Sequence, residues 1–148
     1  MAELTLFDKI LNGDIPAYFV WEDQHYAAFL TPFANTPGVT VVVPKVNPGD
    51  YAFDLTDEQL AGLTAATKKV AKLLEKGLGV NRVAMIFEGE AVPHVHAKLY
   101  PMHNMDAEKP VRGTVFFESY PGFITSQEGP QMDDAQLQEI QAKIKAAA

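Results

Sequence analysis

The sequence predicts an α+β fold: a mostly antiparallel sheet of about five strands with one long helix, a short N-terminal helix and a C-terminal helix. Three observations carry this. Short β-rich runs follow one another directly instead of alternating with helices. A single long stretch with helical period separates the first three runs from the last two. The 148 residues are 47% hydrophobic and 21% charged, enough apolar material for one domain with a real core.

Leu4, Phe7, Ile10 and Leu11 recur at helical spacing up to Asn12-Gly13, which gives the first helix. Tyr18–Glu22 and His25–Leu30 flank the turn-prone Asp23-Gln24, so a hairpin is expected. Asn35-Thr36-Pro37-Gly38 is a turn, and Thr40–Val43 is a β-branched run suited to a buried central strand. Thr56-Asp57-Glu58-Gln59 has the capping-box pattern. Leu60, Leu63, Thr67, Val70, Ala71 and Leu74 then form one apolar stripe, with Lys68, Lys69, Lys72 and Lys76 off it and Gly77 and Gly79 closing the helix. Arg82–Phe87 and His94–Tyr100 are the remaining strands, joined through Glu88–Pro93. Val115–Phe117 is a strand or loop candidate, Tyr120–Pro130 a punctuated loop. Asp133 or Asp134 caps a last helix carrying Leu137, Ile140 and Ile144.

Composition excludes several classes. With no cysteine there is no disulfide, thiol nucleophile or Cys-ligated metal site. A net charge of −7 argues against a nucleic-acid polymer as partner, though a few local donors can still hold a small phosphate. The chain has no apolar run long enough to span a bilayer and no secretory leader pattern, so a cytoplasmic location is expected.

The chemistry concentrates in Pro93–Pro101. On a strand, His94, His96, Lys98 and Tyr100 share one face, and Val95, Ala97 and Leu99 the other. Same-face neighbours lie about 7 Å apart, so two imidazoles and an ammonium converge on one spot. A neutral imidazole is a competent nucleophile toward phosphorus near neutral pH. The second imidazole and the ammonium can stabilise phosphoryl oxygens or supply a proton, and the Lys98 cation would depress the histidine pKa values. A solvated surface row and a His-x-His metal pair are the competing readings, the latter needing a third ligand such as His103. His25 is expected at the surface.

Several segments in order resemble the histidine triad (HIT) family of nucleotide hydrolases and transferases. These are Phe7–Pro16, Ala28–Thr31, Pro37–Lys45 and, on the signature motif, His94–Tyr100. The resemblance runs from about Leu4 to Pro101 within a single domain spanning 1–148, and 102–148 is an extension expected to pack on the domain or on a partner subunit. It implies that His96 is the nucleophile, supported by His94, and that Lys98 stands at the third triad position. It implies a nucleotide site built from Leu6, Phe7, Ile10, Ile15, Phe29, Thr31 and Glu90, for a purine nucleoside phosphate, dinucleoside polyphosphate or phosphoramidate. No cofactor or metal is implied, and a homodimer is. The sequence departs from the pattern at Lys98 itself and at Val39 and Asn47, where the family usually or often has histidine. Thr31 replaces a ribose-binding acid, Glu90 a glutamine, and Ala91 a serine found in some members. A weakly catalytic or purely nucleotide-binding protein is therefore the alternative to a hydrolase.

Overall fold

A computed structural model of the chain describes residues 3–109, 113–122, 124–125, 130–131 and 133–146. The chain divides into two compact units, Met1–Asp106 and Ala107–Ala148. The first contains, in order, α1 (Leu6–Leu11), β1 (Phe19–Glu22), β2 (Tyr26–Leu30), β3 (Thr40–Pro44), a short 3-10 turn (Ala52–Asp54), α2 (Asp57–Leu78), β4 (Val83–Glu88) and β5 (His96–Pro101). The second contains α3 (Asp134–Ala146). Among the described residues no helix is long and apolar enough to cross a membrane.

The five strands form one antiparallel sheet in the order β1-β2-β3-β5-β4. Asp23 closes the β1–β2 hairpin, its carboxylate accepting the backbone N–H groups of His25 and Tyr26 at 2.8 Å each. Every residue of β3 is buried, because the sheet is covered on both faces there. On one face Ala28, Val42, Val95, Ala97 and Leu99 pack with Leu63, Ala66, Val70 and Leu74 of α2. On the other, Ala27, Phe29, Val41 and Val43 pack with Phe7 and Ile10 of α1. The β-branched run of β3 is thus explained by two cores.

Helix α2 starts as its sequence dictates. The Thr56 hydroxyl accepts from the Gln59 N–H at 3.1 Å, and the Gln59 side chain accepts from the Thr56 N–H at 2.9 Å. Its lysines at 68, 69, 72 and 76 are exposed. Gly77 lies inside the helix, and Gly79 alone ends it, with φ of +67° that an L side chain adopts only with strain. Helix α1 is capped in the same manner by Thr5 and Asp8.

Several strand limits differ from the sequence-based expectation, most by a single residue. Tyr18 lies outside β1. Strand β5 begins at His96, not His94, because Pro93 has no N–H to continue a ladder and the His94 N–H turns back onto the Val92 carbonyl at 2.6 Å. Strand β4 runs to Glu88, one residue beyond the expected Phe87, which places Glu88 directly across from His96.

In the second unit Asp133 is the N-cap of α3: its carboxylate accepts the Gln136 N–H at 2.8 Å while the Gln136 side chain accepts the Asp133 N–H. Val115–Phe117 is irregular and exposed, so the loop alternative holds. Ile140 is exposed. The side chains of Leu137 and Ile144, and Phe123 of the expected turn, lie outside the described residues.

Candidate active site

Alternation along β5 sends Ala97 and Leu99 into the α2-side core and His96, Lys98 and Tyr100 to the wall of a cavity on the opposite side of the sheet. His96 is 1% exposed. Its Nδ1–H donates to the carbonyl oxygen of His94 at 2.8 Å. A carbonyl only accepts, so the neutral ring carries its lone pair on Nε2. Burial holds the His96 pKa below the ordinary imidazole value; Lys98 adds to that, and the His94 carbonyl and Glu88 oppose it. Lys98 therefore contributes to the depression, but desolvation dominates it.

His94 occupies a different place from the one its spacing predicts. It is buried behind His96 and does not line the cavity. Its Nε2–H donates to the Pro44 carbonyl at 2.8 Å, and its Nδ1 lies 3.7 Å from Asp8 Oδ1 and 3.4 Å from the Thr5 hydroxyl. Burial again lowers its pKa, against the Pro44 hydrogen bond and the Asp8 charge. Burial would raise the Asp8 pKa, but the Thr5 N–H and hydroxyl, each 2.8 Å from its carboxylate, and the His94 charge bring it below the usual value. The cap of α1 is thereby tied to the histidine loop. The Phe7 ring meets both imidazoles edge-on, with centroids 5.9 Å from His94 and 4.8 Å from His96.

The cavity has a volume of about 670 Å³. Leu6, Phe7, Ile10, Ile15, Phe29 and Val41 give it apolar walls, and Thr31, Glu88, His96, Lys98 and Tyr100 are among its polar lining residues. An apolar slot of this kind suits a flat heterocycle, and a cation with an imidazole on its wall suits an attached anion. All six of the expected apolar and hydroxyl positions, Leu6, Phe7, Ile10, Ile15, Phe29 and Thr31, line it. Glu90 is exposed and outside the wall. Ala91 and Val39, two of the departures from the resemblance, are part of the lining. Asn47 is not; it binds the histidine loop, donating to the Pro93 carbonyl at 3.0 Å.

Glu88 is the functional candidate that sequence reasoning misses. Its Oε1 lies 3.3 Å from His96 Nε2 and 3.1 Å from Lys98 Nζ. The next residue fixes its height on the sheet. Gly89 is buried against the backbone of Asp50, where any Cβ would overlap the Asp50 carbonyl. The sequence shows only a Glu-Gly pair just past the expected strand end at Phe87, and only the β4–β5 register brings Glu88 to His96.

His103 sits apart from this arrangement in its bonding, its Nε2–H donating to the Pro37 carbonyl at 2.8 Å. His25 is exposed, as expected. Among the described residues no group of three or more His, Cys, Asp or Glu side chains is placed to hold a metal ion.

A five-stranded antiparallel sheet with a buried His-x-His pair, its second histidine on the wall of an apolar slot, defines a histidine-triad-like α+β protein. The HIT domain profile matches residues 12–105, and the chain belongs to that family, whose members bind nucleotides. It is 34% identical over 110 residues to an uncharacterized HIT-like protein of Methanocaldococcus jannaschii, covering 71% of this chain and 84% of the relative. Among solved structures, a HIT family member from Bacillus subtilis superposes with a TM-score of 0.67 at 26% identity, covering 99% of this chain and 98% of the other. A HIT family hydrolase from Legionella pneumophila superposes with a TM-score of 0.57 at 27% identity, covering 68% and 94%.

Proposed function

We propose that the protein is a nucleotide phosphohydrolase that works through a covalent nucleotidyl-histidine. The observation that carries this is the lock on His96, a residue of the cavity wall: with Nδ1–H committed to the His94 carbonyl, the lone pair of the neutral ring is on Nε2. The substrate is a purine nucleoside phosphate, phosphoramidate or dinucleoside polyphosphate. Its base lies between Leu6, Phe7, Ile10, Ile15 and Phe29, with Thr31 toward the ribose. Nε2 attacks the α-phosphorus while the Lys98 ammonium offsets charge on the phosphoryl oxygens, as a permanent cation in the place of a third imidazole. Water then releases the nucleoside monophosphate. His94 acts from behind, fixing the loop that carries the accepting carbonyl. Glu90, being exposed, is left without a part.

The test is a product assay on adenosine phosphoramidate and diadenosine polyphosphates, with wild type beside His96→Ala and Lys98→His. Turnover that falls at least about 10³-fold in His96→Ala supports the reading, and near-normal turnover in that variant removes it. Micromolar nucleotide binding with no turnover in the wild type would leave the nucleotide-binding alternative. A homodimer, and packing of residues 102–148 on the domain or on the partner, belong to the same proposal. Light scattering of the full chain beside one truncated after Asp106 tests them.

A further inference from the structure

We propose that Glu88 is a charge filter: its carboxylate makes the site favour a phosphorus centre bearing one negative charge over one bearing two. The inference rests on the nucleotide reading above and deepens it, because it separates the substrates of that site from their product.

Of the described residues that line the cavity, only Lys98 and Glu88 carry a fixed charge, and the two are opposite in sign. They form an ion pair, Lys98 Nζ lying 3.1 Å from Glu88 Oε1. With His96 neutral, the wall therefore sums to no net charge. Two other carboxylates leave that balance alone: Asp8 stands behind the wall on His94, and Glu90 is exposed and off the wall. The same Oε1 stands 3.3 Å from His96 Nε2. A phosphorus in line for attack must come within about 3–3.5 Å of that nitrogen. The phosphoryl oxygens thus arrive beside a carboxylate that already holds the cation they need. Lys98 has three N–H donors, so one can stay on Glu88 while the others reach a phosphoryl group. Each negative charge brought in is attracted by Lys98 and repelled by Glu88. Desolvation then decides, and it costs a dianion more than a monoanion. Glu88 is also held in place, since it is the cross-strand partner of His96 and Gly89 seats the strand end against Asp50.

The charge step of the reaction falls on this filter. The phosphorus of a nucleoside phosphoramidate carries one negative charge, as does the α-phosphorus of a dinucleoside polyphosphate. Water and the phosphoramidate give nucleoside monophosphate and ammonium, so one negative charge on phosphorus becomes two and the ammonium balances it. The second pKa of a phosphate monoester is about 6, which makes the product a dianion at neutral pH. Glu88 accordingly admits the substrate and repels the product. Without it the monophosphate stays longer and turnover slows.

Two ligands of equal size and unequal charge separate this role from a structural one. They are adenosine monophosphate (AMP) and the adenosine 5′ ester of methylphosphonic acid, in which a methyl group replaces one charged oxygen. Their Kd values are to be measured by calorimetry at about pH 8, where AMP is a dianion. We expect AMP to bind the wild type no more tightly than the ester. In Glu88→Gln the ester should tighten about threefold and AMP about tenfold, because a Coulomb interaction scales with the charge of the ligand. Product inhibition by AMP should strengthen in parallel. Glu88→Asp, which keeps the charge, should retain the wild-type ratio of the two Kd values. A carboxylate that only holds Lys98 in position predicts the opposite sign, because its loss would weaken both ligands. Weaker binding of both in Glu88→Gln, equal changes for the two, a Glu88→Asp variant that matches Glu88→Gln, or AMP bound more tightly than the ester by the wild type would each overturn the assignment. Wild type that binds neither ligand would instead remove the nucleotide reading, and this inference with it.

Discussion

The Nδ1–H of His96 donates to the carbonyl oxygen of His94 at 2.8 Å, so a main-chain atom two residues away sets the tautomer of the candidate nucleophile. Because the acceptor is backbone, no side-chain substitution deletes it. What can fail is the support of the loop that presents it, and that support is His94, Asn47 and the α1 cap.

His94→Ala should cost about 2–4 kcal/mol of stability, read from urea unfolding. The substitution leaves the buried Pro44 carbonyl without its donor and opens a void beside Phe7. His94→Gln, which keeps a donor, should lose less.

Leu6→Ala should raise KM about tenfold with kcat little changed and stability nearly intact. Leu6 lines the cavity yet is 47% exposed, so its leucine side chain is held ready for a ligand more than for the core. Ile10, which also lines the cavity, is 8% exposed and belongs to the α1-side core, so Ile10→Ala should lower stability as well. Paired KM and melting measurements on both variants check the contrast.

Gly89→Ala should lower the melting temperature and cut the rate at least about tenfold, because the new Cβ must push the end of β4, and Glu88 with it, away from Asp50. Gly77 has open space around it inside α2, so Gly77→Ala should stabilise by about 0.5–1 kcal/mol with unchanged activity. Thermal melts beside a standard turnover assay separate the two.

Stability should fall as the pH drops below about 6.5. His94 and His96 both have folded-state pKa values below that ordinary value, chiefly through burial, so in the window beneath it the unfolded chain binds more protons than the folded one. Their contribution is complete above 6.5 and is lost as pH falls toward the folded-state values. Asp8, also lowered, acts in the same direction at more acid pH, its contribution being present above 3.8 and lost below it. Urea midpoints measured across this range should decline in wild type and decline less in His94→Gln. A midpoint that rises on acidification would contradict the sign.

Local signals made most of the fold legible. The Thr56 capping box and the Leu63–Leu74 stripe define α2, and the β-branched run at 40–43 identifies the strand buried between two cores. The residues that the resemblance assigns to a base slot line one cavity. Two things were not legible. Alternation in β5 correctly grouped His96, Lys98 and Tyr100, but His94 precedes the strand, where Pro93 breaks the ladder and alternation no longer applies. Glu88 lies eight positions before His96 and meets it only through antiparallel register, which nothing within either strand specifies. Glu90 comes instead from the resemblance, as the counterpart of a glutamine, and it is exposed and off the cavity wall.

The most direct measurement is intact-mass and fragment analysis of the full chain quenched into alkali during turnover of adenosine phosphoramidate. The account predicts a fraction of protein heavier by one adenylyl group, with the adduct on His96, and no such species in His96→Ala. Turnover without any adduct, or an adduct on another residue, would contradict it.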